Sequence, residues 1–125
     1  MVVQMQTMLN VICNSGAKTI RCITVVGKKA GAGASVGDTV VGSVQSIRQK
    51  SASKVKRTQV VRAVIALNHI PVRRPDGTQI SFRQWGCVLV NHQGKPLGTR
   101  IKCVLPREIR KHNAAKIFSM GLGLV

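Results

Sequence analysis

The segment VRRPDGTQISF, residues 72–82, sets two arginines beside a carboxylate, a combination that could bind an anion or support acid–base chemistry. Asp76, the carboxylate of this segment, is one of only three acidic residues, and the others are Asp38 and Glu108. Acid–base catalysis by paired carboxylates needs two such groups at one site. All three acids stand at turn or helix-start positions, so the sequence argues against a catalytic pair.

Nucleophilic and metal chemistry find little support either. The three histidines fall in loops or the tail, and nothing marks a Cys–His pair, although the fold could still bring one together. The cysteines form no CxxC pair, and none has a histidine at zinc-ligand spacing. Cys22, Cys87 and Cys103 lie in apolar or alternating runs, so we expect reduced, buried thiols, with disulfides or metal as the alternative. We predict that the protein is not an enzyme and holds no metal or cofactor.

The acidic residue of the opening segment has a structural interpretation. Pro75 fixes φ, Asp76 hydrogen-bonds locally and Gly77 takes a positive φ, which together make a tight turn. We therefore predict that Asp76 shapes this turn. Arg73 and Arg74 lie on its strand side, and we expect both to reach phosphate.

The charge balance of the 125-residue chain indicates a polyanionic partner. Twenty lysines and arginines stand against three acids, which gives a formal net charge of +17 at pH 7. Such a surface repels itself unless a polyanion neutralises it, and nucleic acid is the first candidate. An anionic membrane would require a basic amphipathic helix or an apolar anchor, and no apolar run approaches the ~20 residues of a membrane span. We predict no membrane partner.

Two basic loops are the expected contacts. GKKAGAGASVGD at 27–38 is glycine-rich, but its spacing matches neither a P-loop nor a dinucleotide motif, so we interpret it as a flexible hairpin loop. RQKSASKVKR at 48–57 carries five cations and no acid, which favours phosphate contacts. With the turn arginines, the predicted RNA-binding residues are Lys28, Lys29, Arg48, Lys50, Lys54, Lys56, Arg57, Arg73 and Arg74.

The choice of RNA rests on what the chain lacks. One tryptophan and two phenylalanines are too few for the stacking platforms that hold single-stranded bases. No helix-turn-helix, zinc finger or long basic helix is present to read DNA sequence. Cations on loops around a rigid domain suit phosphate contacts to a compact RNA, so the residues predict a structural RNA-binding module.

Short β-strands must position these loops. Runs rich in β-branched residues alternate with Gly, Asp and Pro turns at near-regular spacing, which favours a small barrel or sandwich. Closure into a barrel removes exposed edges. Pro106 and Glu108 mark the start of a short C-terminal helix. We predict one mainly β domain over residues 1–125, with strands at 9–13, 19–27, 39–47, 58–67, 78–82 and 87–91.

Several blocks of sequence occur in an order that resembles a known family. They are LNVICNSGAKTIRCITVVG, SVGD, VRRPDGTQISF, CVLVN, PLGTRIKCVLPREIR and AKIFSM. In this order they are similar to the universal large-subunit ribosomal protein family numbered fourteen in bacterial nomenclature, from about residue 4 to residue 125. The most specific blocks are residues 73–77 and 98–101.

The resemblance implies a small five-stranded β-barrel with a projecting β-ribbon and short C-terminal helices. It also implies binding to large-subunit rRNA, contact with neighbouring ribosomal proteins and a place facing the small subunit. Thr99, Arg100 and Lys116 match family positions that imply docking of a ribosome-silencing factor. Arg107 and Arg110 are three apart and share a helix face, which we expect to contact small-subunit rRNA in an intersubunit bridge. Anchoring in large-subunit RNA is the alternative for these two arginines.

The chain also departs from the family pattern. Cys13 stands where the family usually has Asp, and Thr58-Gln59 replaces a Gly-Asp turn. Residues 102–106 read KCVLP where bacterial members have an aromatic residue and Gly-Pro-Val, and with the scarcity of acids this resembles organellar members. We expect a mitochondrial ribosome in the matrix, with a plastid or bacterial ribosome as the alternative. No Lys or Arg precedes Lys18, so no secretory or transit-peptide pattern is visible.

A protein of another class could share the charge. A free-standing basic RNA chaperone, or a protein that binds anionic surfaces, would have the same excess of cations. Neither accounts for the low aromatic content together with the ordered blocks, so the ribosomal interpretation is preferred.

Overall fold

A computed structural model of the chain describes residues 3–27, 29, 33–48, 55–98, 100–101, 103–112, 115–121 and 123. Five of the six predicted strands are confirmed, because the ends of the observed strands lie within two residues of the predicted ends, whereas the predicted strand at 78–82 is reduced to Gln79–Ile80. The elements are β1 (Met8–Val11), β2 (Ala17–Val25), β3 (Thr39–Ile47), β4 (Val60–Leu67), β5 (Val72–Arg73), β6 (Gln79–Ile80), β7 (Gly86–Val90), a 3₁₀ helix (Arg107–His112) and α1 (Ala115–Met120).

Five of these strands form a closed barrel in the order β1, β2, β3, β4 and β7. Neighbouring strands are antiparallel except for β1 and β7, which close the barrel in parallel. β5 and β6 form a separate two-stranded sheet, called here the ribbon, residues 72–80. The predicted mainly β fold with a closed five-stranded barrel is therefore confirmed.

The barrel interior follows from strand alternation, because successive side chains point to opposite faces. In β2, Ile20 and Cys22 are buried while Arg21 between them is exposed. All five residues of β7 are buried, so both faces of this strand are covered.

The C-terminal segment joins the same core. Ile101, Leu105, Ile109 and Ile117 are at most 2% exposed and belong to the barrel's hydrophobic cluster. Burial of such side chains contributes about 1.5–3 kcal/mol each, so the short helices are held by packing and not by their own length. Among the described residues, no helix combines the length and hydropathy that crossing a bilayer requires.

The thiols are mostly interior groups. Cys13, Cys22 and Cys87 are buried, whereas Cys103, which we expected to be buried, is half-exposed; none of the four is in a disulfide. Burial raises the pKa of the Cys87 thiol well above its usual range, and the nearby thiols of Cys13 and Cys22 add to this. The Cys87 thiol is therefore protonated, and the buried cysteines pack as small apolar side chains.

Candidate nucleic-acid interface

The turn between β5 and β6 is closed by Asp76. Its Oδ1 accepts hydrogen bonds from the Thr78 hydroxyl at 2.6 Å and the Thr78 N–H at 3.0 Å. Gly77 has φ +90°, and its N–H donates to the Arg74 carbonyl at 3.0 Å. The hydrogen bond from the Thr78 hydroxyl lowers the pKa of the Asp76 carboxyl below its usual range, and the hydrogen bond from the Thr78 N–H lowers it further by a smaller amount. These contacts confirm that Asp76 shapes the turn.

The two arginines of this turn have different environments. Arg73 is exposed. Arg74 Nε donates to Glu108 Oε1 at 2.7 Å, and its Nη2 donates to Glu108 Oε2 at 3.2 Å. The C-terminal 3₁₀ helix thus brings a carboxylate against Arg74, a pairing that the sequence did not predict, and phosphate contact by either arginine stays a prediction. This bond to Glu108 raises the pKa of the Arg74 guanidinium.

The ends of the 48–57 loop present cations at the barrel surface. Arg48 is exposed, and its Nη2 donates to the Val11 carbonyl at 3.4 Å. Lys56 and Arg57, just before β4, are also exposed, as is Lys29 in the 27–38 loop. The other predicted contacts of these loops, Lys28, Lys50 and Lys54, lie outside the described residues.

The end of the 48–57 loop contains an unusual backbone conformation. Thr58 has φ +67°, a left-handed region that β-branched residues rarely adopt. It is held there by the hydrogen bond from its N–H to the Val44 carbonyl at 2.8 Å. Gln59 supports the same turn, because its Oε1 accepts from the Lys56 N–H at 2.9 Å. The Thr58-Gln59 departure therefore occurs at a position whose backbone favours glycine.

Arg100 lies where two segments that are distant in sequence meet. Asn14 Oδ1 accepts from the Arg100 N–H at 3.1 Å, and the Asn14 N–H donates to the Arg100 carbonyl at 3.2 Å. A Cβ at Gly98 would lie 2.6 Å from Asn14 Oδ1, so glycine is required for this close approach. The Arg100 side chain is exposed, and the hydrogen bonds to Asn14 hold the Arg100 backbone in place.

The structure describes the other predicted interface residues only in part. Arg107 is exposed at the start of the 3₁₀ helix. A 3₁₀ helix has three residues per turn, so positions 107 and 110 lie on one side of it. Thr99 lies outside the described residues, as do the side chains of Arg110 and Lys116.

Several exposed cations were missed by the motif-based reasoning. Arg21 and Arg62 lie on the outer face of β2 and β4, opposite Ser43 and Val41 respectively. Strand alternation could have found both, since each stands between two buried residues. Among the side chains that the structure describes, the remaining ones are Lys18, Arg83 and Lys95.

Each acidic residue has a structural contact. Asp38 accepts hydrogen bonds from the Ser35 N–H at 2.8 Å and the Ser35 hydroxyl at 3.2 Å, while Asp76 and Glu108 are engaged as described above. In the part of the chain that the structure describes, no group of three or more His, Cys, Asp or Glu side chains could hold a metal ion.

Comparison with known protein families gives a match over almost the whole chain. The family model described as ribosomal protein L14p/L23e matches residues 2–124. The match spans the ordered blocks quoted above, and it confirms the resemblance that they carry.

Proposed function

The chain belongs to the ribosomal protein L14p/L23e family and is a structural protein of the large ribosomal subunit, and we propose that it binds large-subunit rRNA through its exposed cations. The main support is the imbalance of 20 lysines and arginines over three acids, each of which already has a structural contact. A polyanion is then the partner that neutralises the remaining cations.

The proposed RNA contacts are phosphate contacts, which fix the position of a protein on RNA without reading sequence. Arg73 on the ribbon and the pair Lys56 and Arg57 before β4 would contact phosphate directly. Arg74 is proposed as a further phosphate contact, and its bonds to Glu108 also help to hold the ribbon that carries Arg73. The proposed set is completed by Lys28, Lys29, Arg48, Lys50 and Lys54.

The C-terminal surface is proposed to face the small subunit. Arg107 and Arg110 would form a cationic face that attracts small-subunit rRNA, since phosphate attraction is strong and reversible with salt. Thr99, Arg100 and Lys116 would receive the silencing factor. The bonds between Asn14 and Arg100 support this proposal, because they hold the Arg100 backbone in one position for a partner to meet.

The remaining proposals concern partners and location. We propose that the protein contacts neighbouring large-subunit proteins. We also propose that it is part of the mitochondrial ribosome in the matrix, and the KCVLP sequence at 102–106 and the scarcity of acids support this location. A plastid or bacterial ribosome is the alternative location.

The test of this function is sedimentation of the tagged full-length chain with large subunits through a high-salt gradient. A structural constituent stays in the large-subunit peak, whereas a free-standing RNA chaperone or other peripheral electrostatic binder washes off. Loss of the chain from the peak at high salt, with intact subunits, would contradict the proposal.

A further inference from the structure

A surface groove lies at the seam where β1 and β7 close the barrel in parallel. Its cavity is about 390 Å³ and is lined by Met8, Asn10, His69, Arg83, Gln84 and Trp85. An adjoining cavity of about 410 Å³ shares Asn10, Arg83, Gln84 and Trp85. The volume of each is within the range of small-ligand sites, roughly 300–1,000 Å³.

The groove contains one aromatic side chain on a fixed backbone. Trp85 is half-buried and packs against the core. Its carbonyl accepts a hydrogen bond from the Asn10 N–H at 3.2 Å, and Asn10 pairs with Gly86, the next residue along the chain. Met8, also in the lining, is 46% exposed. The groove therefore offers an apolar surface that the barrel seam holds in place.

Polar groups surround this apolar surface. The Asn10 side-chain amide donates to Gln84 Oε1, and among the described residues no other side-chain hydrogen bond engages these two amides. Asn10 Oδ1 and Gln84 Nε2 thus remain as an acceptor and a donor. His69 Nδ1 lies 3.3 Å from the Phe82 carbonyl oxygen, so this nitrogen donates and Nε2 is left for a ligand. Arg83 is exposed at the edge of the groove.

We infer that this groove binds a single unstacked nucleobase of the RNA, with Trp85 stacking on the base and Arg83 contacting its phosphate. The inference rests on the proposed RNA-binding function and adds to it a site outside the basic loops. The indole can stack on the face of a base, and the neighbouring donor and acceptor can form hydrogen bonds with the edge of the same base. An apolar protein side chain would leave these amides without partners. One tryptophan is too little for a stacking platform, but it suits one extruded nucleotide.

The test uses Trp85 fluorescence, because Trp85 is the sole tryptophan and the chain has no tyrosine. The full-length protein is titrated with a labelled RNA hairpin that carries one bulged nucleotide, and with the same hairpin fully paired. Label anisotropy reports total binding, and Trp85 emission reports the groove. We expect both hairpins to bind, but only the bulged one to quench Trp85 strongly.

Variants separate stacking from general charge. Trp85→Leu should weaken binding of the bulged hairpin by roughly 5- to 150-fold at constant salt, and binding of the paired hairpin far less. Trp85→Phe keeps an aromatic face and should retain most of the preference for the bulged hairpin over the paired one. The wild-type fluorescence needs no substitution, so the test stands even if Trp85→Leu folds poorly.

The outcomes distinguish this site from the general function. If both hairpins bind by anisotropy while Trp85 emission is unchanged, the base site is overturned and RNA binding stands. A response of Trp85 to purified large-subunit proteins but not to RNA would assign the groove to a protein neighbour and likewise overturn it. If neither hairpin nor large-subunit rRNA binds, the proposed function itself fails, and the base site with it.

Discussion

Arg74 and Glu108 join the ribbon to the C-terminal 3₁₀ helix through two hydrogen bonds, 2.7 Å and 3.2 Å long. The two side chains are only 20% and 17% exposed. Planar two-point pairing of this kind fixes orientation as well as distance. Glu108, one of the three acids, thus connects the ribbon that carries Arg73 to the 3₁₀ helix that carries Arg107.

Removal of the Glu108 carboxylate should loosen both segments. Glu108→Gln is expected to speed amide exchange in residues 72–80 and 107–112, because the charge-assisted bonds to Arg74 are lost. Arg107→Gln is the matched control, since Arg107 is exposed, and it should leave exchange unchanged. Hydrogen-exchange mass spectrometry measures both. Strict additivity of Arg74→Gln and Glu108→Gln in a double-mutant cycle would show that the pair contributes nothing.

The stability of the turn that Asp76 closes should fall at low pH. Because hydrogen bonds from Thr78 stabilise the charged carboxylate, the folded pKa lies below the ordinary value of 3.8. The stabilisation is therefore fully present above pH 3.8 and is lost as the pH falls through the folded pKa. An NMR titration of the Thr78 amide shift should have its midpoint below 3.8. Asp76→Asn should preserve the turn and Asp76→Ala should not; a midpoint at or above the ordinary value argues against the Thr78 bonds.

The 48–57 loop should contribute to RNA affinity but little to folding. Replacing Lys54, Lys56 and Arg57 by Gln is expected to weaken rRNA binding and leave the unfolding midpoint unchanged, because exposed charges contribute little to stability. The salt slope of the logarithm of the binding constant should flatten by roughly one unit or slightly less per lost phosphate contact. Lys56→Arg with Arg57→Lys keeps the charge and is the control. An unchanged slope in the triple variant means that this loop does not face phosphate.

Thr58→Gly should stabilise the protein. At φ +67° a threonine is strained and glycine is not, and the relief exceeds the extra backbone entropy that glycine loses on folding. The expected gain is about 0.5–1 kcal/mol in the free energy of unfolding, measured by urea denaturation. Gln59→Gly, next in the chain, should destabilise, because it removes the bond to the Lys56 N–H. Equal destabilisation by both glycines would show that the Thr58 conformation is unstrained.

The C-terminal surface is tested by charge reversal. Arg107→Glu with Arg110→Glu should leave entry into the large subunit near normal and impair joining to the small subunit, as measured on sucrose gradients. Arg100→Glu should reduce silencing-factor binding by purified large subunits, with Lys95→Glu as an exposed control. Failure of the double variant to enter the large subunit would favour anchoring in large-subunit RNA and end the bridge proposal.

The sequence by itself determined the strands, the turn and the charge. β3 begins and ends where its β-branched run predicts, and the Pro75-Asp76-Gly77 turn has the predicted bonds. These features depend on residues close together in the chain, where alternation and turn chemistry act directly. The net charge of +17 follows from the composition alone and does not depend on the fold.

Only the tertiary structure decided which of these features meet. Arg74 and Glu108 are 34 residues apart, and Asn14 and Arg100 are 86 apart, so no local pattern could pair them. Both contacts, and the Trp85 groove at the seam of β1 and β7, exist because the barrel closes and its C-terminal segment packs back on the core. Closure is a property of the whole sheet, so the pairing of Arg74 with Glu108 could not be predicted from the local sequence.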